Sequence, residues 1–380
     1  MRFPPKAFRQ TVGQLGWCAC ALLILPILLL LPMPAVGMPE GDWQVQITES
    51  ALYDGNVLRY SDKYIERFRN GEDTGRFHIS RYDDLTFQTS LKITRSLELF
   101  PALGSSIAGQ IQYKRYAYNP VRDWYSFNLS LRQAIAEKTF LSLSYSYLPN
   151  FYVRHYRDED WVAAYGYIPE TFKPFEFSKD NIGLSAQHTI LTDTRVRATI
   201  AFARYFYNQH FTEYDSKDWS FGLEANQPVH RRISVSIGYR FANSNAKGVN
   251  TPFETKENSD DADASFREHE FRAGAEWRIP KLLGLPTRIE LDGQWDFRHY
   301  TSSHPPEVDP FHSGRRDYEY GIDLSYGIRA LPMLDVAATY SWSTRRSRTT
   351  ASQNAVYLSD EKDYHQHQVG IELAYTFEPK

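Results

Sequence analysis

Apolar and polar residues alternate with a period of two along most of the chain after Gly41. In the segment 366–377, every odd-numbered residue from His367 to Phe377 is apolar, aromatic or histidine, and every even-numbered residue is polar or small. Side chains of a β-strand point alternately to its two faces, so this pattern predicts a strand with one apolar face. The same pattern recurs in thirteen other segments: 43–47, 85–93, 107–114, 125–132, 141–147, 182–188, 196–206, 219–225, 233–241, 269–277, 289–297, 318–328 and 334–342.

The connections between these segments fall into two alternating classes. Six are short, at 100–104, 134–138, 191–193, 227–230, 280–286 and 330–333, and seven are mostly longer and polar, at 54–84, 118–123, 149–179, 207–216, 243–265, 301–316 and 345–365. Transmembrane barrels have short periplasmic turns, long outer loops and an even number of strands. The pattern therefore predicts an all-β fold: one up-and-down antiparallel transmembrane β-barrel of about 14 strands. A secreted β-sandwich or propeller is the rival, since its strands also alternate.

The amino-terminal segment carries the features of a secretory signal. Arg2, Lys6 and Arg9 precede an apolar run at 18–31, and the small residues around Ala35 and Gly37 follow it. This order predicts cleavage after Gly37, which divides the chain into a signal peptide (1–37) and a barrel (38–380). A retained membrane anchor is the alternative, because the segment 15–33 is about long enough to span a bilayer.

Composition narrows the possible functions. Removing the three basic residues of the signal lowers the formal charge from −3 to −6, because no acid precedes Glu40. An acidic chain is a poor partner for nucleic acid, and we expect none. Both cysteines lie inside the signal, so no disulfide or thiolate metal site is expected beyond it. No motif for a metal or other cofactor is found. The mean hydropathy of −0.52 does not exclude a barrel, since only alternate strand residues meet lipid.

Two stretches resemble a known family. The aromatic Phe377 closes the last alternating segment, as in Gram-negative outer-membrane barrels, and the stretch Tyr53–Val57 is similar to the first-strand region of outer-membrane porin families. The family pattern ends on the aromatic residue itself, whereas Glu378, Pro379 and Lys380 follow here. The resemblance implies an outer-membrane location, contact with membrane lipid and lipopolysaccharide, and insertion by the outer-membrane assembly machinery.

If the apolar faces meet lipid, the opposite faces line the barrel interior. The charged residues of that parity are the candidate pore-lining residues: Lys92, Lys114, Arg132, Arg195, Arg197, Arg232, Arg240, Glu270, Arg272, Glu290, Asp292, Asp296, Arg298, Glu319, Asp323 and Glu372. The earlier strands contribute mainly bases and the later strands mainly acids. Because strands adjacent in sequence are adjacent in such a barrel, this order predicts one positive and one negative wall. The alternative is that the charges pair within each wall.

The sequence therefore favours a channel for passive diffusion of small polar or charged solutes. A non-conducting barrel whose outer loops serve adhesion or surface interaction is the alternative. The aromatic loop 149–179 fits either a solute-stacking surface or a self-packed cap. An outer-membrane hydrolase is a third hypothesis, but only His299 with Ser302 or Ser303, and His210 with Asp215, offer a local nucleophile or base. We therefore expect no enzymatic activity.

Overall fold

The computed structural model describes residues 43–100, 103–191 and 193–378, with only the backbone of Glu98 and Phe100. The proposed signal peptide, 1–37, lies outside the described residues. Within them, 14 strands form one closed antiparallel barrel in which each strand pairs with its sequence neighbours and β1 pairs with β14. The strands are β1 Trp43–Asp54, β2 Asp84–Phe100, β3 Leu103–Tyr116, β4 Trp124–Ala136, β5 Thr139–Arg157, β6 Phe172–Ile190, β7 Thr194–Tyr207, β8 Ser216–His230, β9 Ile233–Ala246, β10 Phe266–Leu282, β11 Leu285–Tyr300, β12 Arg315–Leu331, β13 Leu334–Thr349 and β14 Tyr364–Phe377.

Apolar side chains form an exposed band on the outer face of the barrel. Ile182 and Leu184 on β6, Ile200 on β7 and Phe221 on β8 are each about half exposed although they occupy regular strand positions. A soluble protein buries such residues, whereas a transmembrane barrel presents them to lipid. The closed ring leaves no strand edge, so every strand has a hydrogen-bonding neighbour on both sides in a medium without water.

Several of the predicted connections are shorter than expected. The segment 149–179 is mostly strand, because β5 and β6 extend beyond the membrane and leave only residues 158–171 as their connection. The turn predicted at 227–230 is shorter, at residues 231 and 232, since β8 continues to His230. The turn between β10 and β11 is also tight: Leu283 and Gly284 both have positive φ (53° and 88°), as the preferred two-residue hairpin turn requires.

In the part of the chain that the structure describes, three short α-helices lie in the outer loops: α1 Asp62–Arg69, α2 Glu159–Tyr165 and α3 Ala355–Lys362. Ser61 caps α1 by accepting a hydrogen bond from the Tyr64 amide, and Asp158 caps α2 by accepting one from the Trp161 amide. None of the helices in the described ranges is long and apolar enough to cross a membrane.

Candidate functional site: the barrel interior and its outer mouth

The interior face is defined by the register of the strands. Directly opposed residues share a face, and one row runs Arg195, Asn226, Ser236, Gly274, Asp292 and Asp323 across β7 to β12. This face is opposite to the exposed apolar band. By the same register, the predicted residues on strands lie on the interior face: Lys92, Lys114, Arg132, Arg195, Arg197, Arg240, Glu270, Arg272, Glu290, Asp292, Asp296, Arg298, Glu319, Asp323 and Glu372. Arg232 does not; it lies in the inner turn between β8 and β9.

Interior-facing side chains change from buried to exposed along the barrel. At the outer ends of the strands they are buried around almost the whole circumference of the barrel. Examples are Asp54, Tyr116, Ala242, Glu270, Asp317 and Gln366. Towards the middle and the inner ends they are exposed, and examples are Lys92, Arg132, Arg195, Arg272, Asp292 and Asp323. The lumen is therefore open towards the short turns and filled at its outer mouth.

The residues that fill the outer mouth come first from loop 1, residues 55–83. Its apolar side chains Val57, Leu58, Tyr60 and Tyr64 form a buried cluster with interior-facing Tyr116 of β3 and Tyr152 of β5, and Trp124 packs against that cluster. Trp124 is therefore an interior residue, although a tryptophan near a strand end is also typical of the lipid interface.

Loop 1 also reaches the opposite wall. Arg59 Nη1 lies 3.2 Å from Glu319 Oε1 on β12, and Arg59 Nε donates to Gln366 on β14 at 3.2 Å. Lys63 pairs with Asp360 in loop 7, residues 350–363. Since β5 and β12 are seven positions apart in a ring of 14 strands, loop 1 lies across the lumen.

The two sides of loop 1 differ in chemistry. Towards β3–β5 the contacts are mainly apolar. The polar ones include Arg154, whose Nη2 donates to the Leu58 carbonyl at 2.7 Å, and Asn119, whose Oδ1 accepts from the Ser80 amide at 2.8 Å. Towards β12, β14 and loop 7 they are ion pairs and hydrogen bonds, including Arg76 to Glu361 at 3.3 Å. Burial opposes ionisation of Glu361, but Lys362 and Arg76 outweigh it and lower its pKa. Burial also raises the pKa of Tyr60 to about 12, so its phenol is neutral.

The extended β5–β6 hairpin fills the rest of the mouth with aromatic side chains. The ring of Phe175 lies 4.8 to 5.1 Å, between centroids, from those of Tyr156, Tyr207, Phe211 and Tyr214. These distances are typical of packed aromatic pairs. Most of the aromatic residues of the segment 149–179 therefore pack on one another and on neighbouring loops, as a self-packed cap.

Charge on the later strands is largely paired within the wall. Arg240 Nη2 lies 2.8 Å from Glu268 and 2.6 Å from Glu270, and Arg298 also pairs with Glu268. Arg272 pairs with Glu270, and Arg288 with Glu290 at 3.2 Å. Asp296 instead accepts a hydrogen bond from Gln294 at 2.7 Å. Among the described residues, Asp292, Asp323 and Glu372 have no cation within 4.0 Å.

The bases of the earlier strands have a different environment. Within the described ranges, Lys92, Lys114, Arg132, Arg195 and Arg197 have no carboxylate within 4.0 Å. Arg132 stacks 3.9 Å over the Phe140 ring, and Arg195 donates to the Asn226 side chain at 3.1 Å. The interior thus has unpaired bases on one wall and mostly neutralised acids on the other.

The candidate hydrolase groups do not converge. His210 bonds to Asp158 at 2.7 Å, whereas Asp215 accepts the Tyr207 amide. His299 lies on the outer face of β11, since its neighbour Arg298 points inward to Glu268. Neither proposed pair is assembled for general-base chemistry.

Comparison with known proteins adds fold neighbours. No protein-family model matches the sequence, and no curated protein matches it. The outer membrane channel DcaP of Acinetobacter baumannii has 11% identity and a TM-score of 0.45, over 88% of this chain and 96% of that one. An anion-selective porin from Comamonas acidovorans has 8% identity and a TM-score of 0.42, over 88% and 98%. The outer membrane protein opdK from Pseudomonas aeruginosa has 10% identity and a TM-score of 0.40, over 89% and 100%.

These similarities concern the barrel fold. The closed antiparallel sheet, its exposed apolar band, its short inner turns and its longer outer loops belong together in one class of protein. The chain folds as a closed antiparallel β-barrel with a lipid-facing apolar band, which is the architecture of a transmembrane β-barrel.

Proposed function

We propose that the barrel is a passive channel for small polar or charged solutes, and that it conducts when loop 1 separates from β12, β14 and loop 7. The observation that carries the proposal is the interior face, which exposes charged side chains through the middle and inner lumen. Such a surface suits water and polar solutes. The proposal assigns the barrel no enzymatic activity, and it includes insertion by the outer-membrane assembly machinery through the Phe377 strand.

The polar side of loop 1 is the side that can open. Arg59 and Lys63 each make ion pairs while remaining about half exposed, and exposed pairs contribute little, about 0–1 kcal/mol each. The buried Arg76–Glu361 pair between loop 1 and loop 7 is harder to break and has to separate as well. The apolar side is held by several fully buried side chains. The passage therefore lies between loop 1 and the β6–β12 wall, while loop 1 stays attached to β3–β5.

The row from Arg195 to Asp323 determines how charge is distributed along the wall of this passage. Arg195 has no carboxylate partner among the described residues, and at the other end Asp292 and Asp323 are direct cross-strand neighbours. Small neutral residues lie between: Asn226, Ser236 and Gly274. Separated charges along a narrow aqueous wall orient dipolar solutes and set ion preference.

Single-channel recording in planar bilayers tests the proposal. The variant Arg59→Gln/Lys63→Gln removes the two exposed ion pairs that loop 1 makes with β12 and with loop 7. Arg81→Gln is the matched control, because Arg81 pairs with Asp83 inside loop 1. We expect the double variant to conduct for a larger fraction of the time than the wild type and the control. Absence of unitary current from every correctly folded protein, including the double variant, would overturn the channel.

A specific observation favours the second candidate, a non-conducting barrel with an adhesive or interacting outer surface. The interior is buried at the outer end on almost every side, as expected if the loops form a permanent surface. The same recordings decide between the two, since a permanently filled mouth would give no current in the double variant.

A further inference from the structure

A cluster of positive charge faces the lipid side of the barrel. Arg267 of β10, His299 of β11, Arg316 of β12 and Arg348 of β13 form one row of direct cross-strand neighbours at the outer ends of these strands. Arg346 is on the same face of β13, opposite Tyr318. Their register places all five on the outer face, because the intervening Arg298 and Asp317 point inward.

The level of this cluster on the barrel is fixed by aromatic residues. The next row on the same face holds His269, Phe297 and Tyr318. The Phe297 and Tyr318 ring centroids are 5.3 Å apart. Aromatic residues form girdles at membrane interfaces. Arg267, Arg316 and Arg348 lie one row further out, at the outer loops, and therefore at the headgroups of the outer leaflet, while Arg346 lies in the aromatic row.

The cluster lacks compensating charge. Arg267, Arg316, Arg346 and Arg348 are all exposed, and in the described ranges none has a carboxylate within 4.0 Å. Arg316 and Arg348 lie directly opposite each other, and like charges in this arrangement destabilise a strand pair. Neighbouring strands are about 4.8 Å apart, so guanidinium groups on adjacent strands can engage the same anionic group.

Another rim arginine shows how such a charge is usually neutralised. Arg204 of β7 also faces outward near the outer end of its strand, and its Nη2 lies 2.7 Å from Asp180 of β6. Among the described residues the β10–β13 cluster has no acid within 4.0 Å, so no side chain there pairs with it as Asp180 pairs with Arg204.

We infer that the outer face of β10–β13 binds the phosphate groups of an outer-leaflet glycolipid, the phosphorylated headgroup of lipopolysaccharide. Arginine matches phosphate through charge and through paired N–H donors. Arg267, Arg316 and Arg348 would contact phosphate, while the aromatic row below lies against the base of the headgroup. The inference is independent of whether the barrel conducts.

Binding of bisphosphorylated lipid A to the folded barrel in detergent tests this assignment, with titration followed by native mass spectrometry. Three proteins are compared: the wild type, the variant Arg267→Gln/Arg316→Gln/Arg348→Gln, and Arg204→Gln as a matched rim control. Because the triple variant loses three groups that can make charge-assisted hydrogen bonds to phosphate, we expect it to bind at least about tenfold more weakly. Arg204→Gln should bind like the wild type.

Two further arms identify the chemistry and its source. Lipid A without phosphates should bind all three proteins equally weakly, and inorganic phosphate at millimolar concentration should not displace bisphosphorylated lipid A. Equal affinity of wild type and triple variant for bisphosphorylated lipid A would overturn the site. Displacement by inorganic phosphate would overturn its assignment to a glycolipid and leave an ordinary anion site. Heat-modified gel mobility verifies that every variant is folded, which the exposure of these side chains leads us to expect.

Discussion

Glu213 makes the packing of the outer loops dependent on pH. It lies in loop 4, residues 208–215, with only 8% of its surface exposed, and its Oε2 has no hydrogen-bond partner in the described residues. Burial, with smaller contributions from Asp261, Asp158 and Asp160, raises the pKa of Glu213 to about 8, although its own backbone amide opposes this. The packed loop therefore holds Glu213 protonated at neutral pH.

The size of the effect follows from proton linkage. When loop 4 opens, Glu213 meets water and regains its ordinary pKa of 4.5. Between these two pKa values the closed form binds more protons than the open form, so the closed form loses stability as pH rises. From pH 6 to pH 9 the loss is about 2–3 kcal/mol, at about 1.4 kcal/mol per pH unit until the pKa of about 8 is passed. Loop opening should increase roughly a hundredfold.

Hydrogen exchange measures this opening at the amides of Tyr214 and Gly248, whose hydrogen bonds tie loop 4 together and to loop 5, residues 247–265. The rates are compared between wild type and Glu213→Gln at each pH, because the ratio cancels the intrinsic pH dependence and other titrations. We expect the ratio to rise about a hundredfold from pH 6 to pH 9. Glu257→Gln, at an exposed carboxylate of loop 5, is the control. A ratio that stays constant with pH would refute the reasoning.

Two other predictions concern the lumen. Asp292→Asn/Asp323→Asn removes two lumenal carboxylates that lack a cation within 4.0 Å among the described residues. The reversal potential in a salt gradient should therefore shift towards anion preference. An unchanged potential would show that these carboxylates do not face the conducting path. Trp124→Ala removes packing from the loop 1 cluster at a cost of about 2 kcal/mol for a partly buried indole, and should speed proteolytic cleavage of loop 1. The lipid-facing Trp219→Ala should leave cleavage unchanged, and equal cleavage of both variants would contradict the interior position of Trp124.

The barrel was predictable because its rules are local. The period of two marks each strand, and turn signals such as Leu283-Gly284 separate strands, so the number and order of strands could be read directly from the sequence. The interior parity of the charged residues came from the same pattern. Arg232 does not lie on the interior face as predicted, because it precedes its strand and alternation gives no information about a residue in a turn.

The filling of the outer mouth was not predictable, because it depends on contacts between distant segments. Tyr60 packs with Tyr152, and Arg59 pairs with Glu319, but no local sequence pattern indicates such pairs. Trp124 shows the problem most clearly: an aromatic residue near a strand end fits a lipid interface and a docked loop equally well. The available signal was composition, since Val57, Leu58 and the aromatic residues that follow make loop 1 more apolar than a solvated loop.

The energies of the two sides of loop 1 determine how the mouth can open. Complete undocking would expose Val57, Leu58, Tyr60 and Tyr64, at about 1.5–3 kcal/mol each, or about 6–12 kcal/mol in total. That cost would keep the open fraction below about 1 in 10,000. Breaking the exposed pairs of Arg59 costs far less. A conducting state would therefore keep loop 1 on β3–β5, where its buried cluster lies, and separate it from β12 at the exposed Arg59–Glu319 pair.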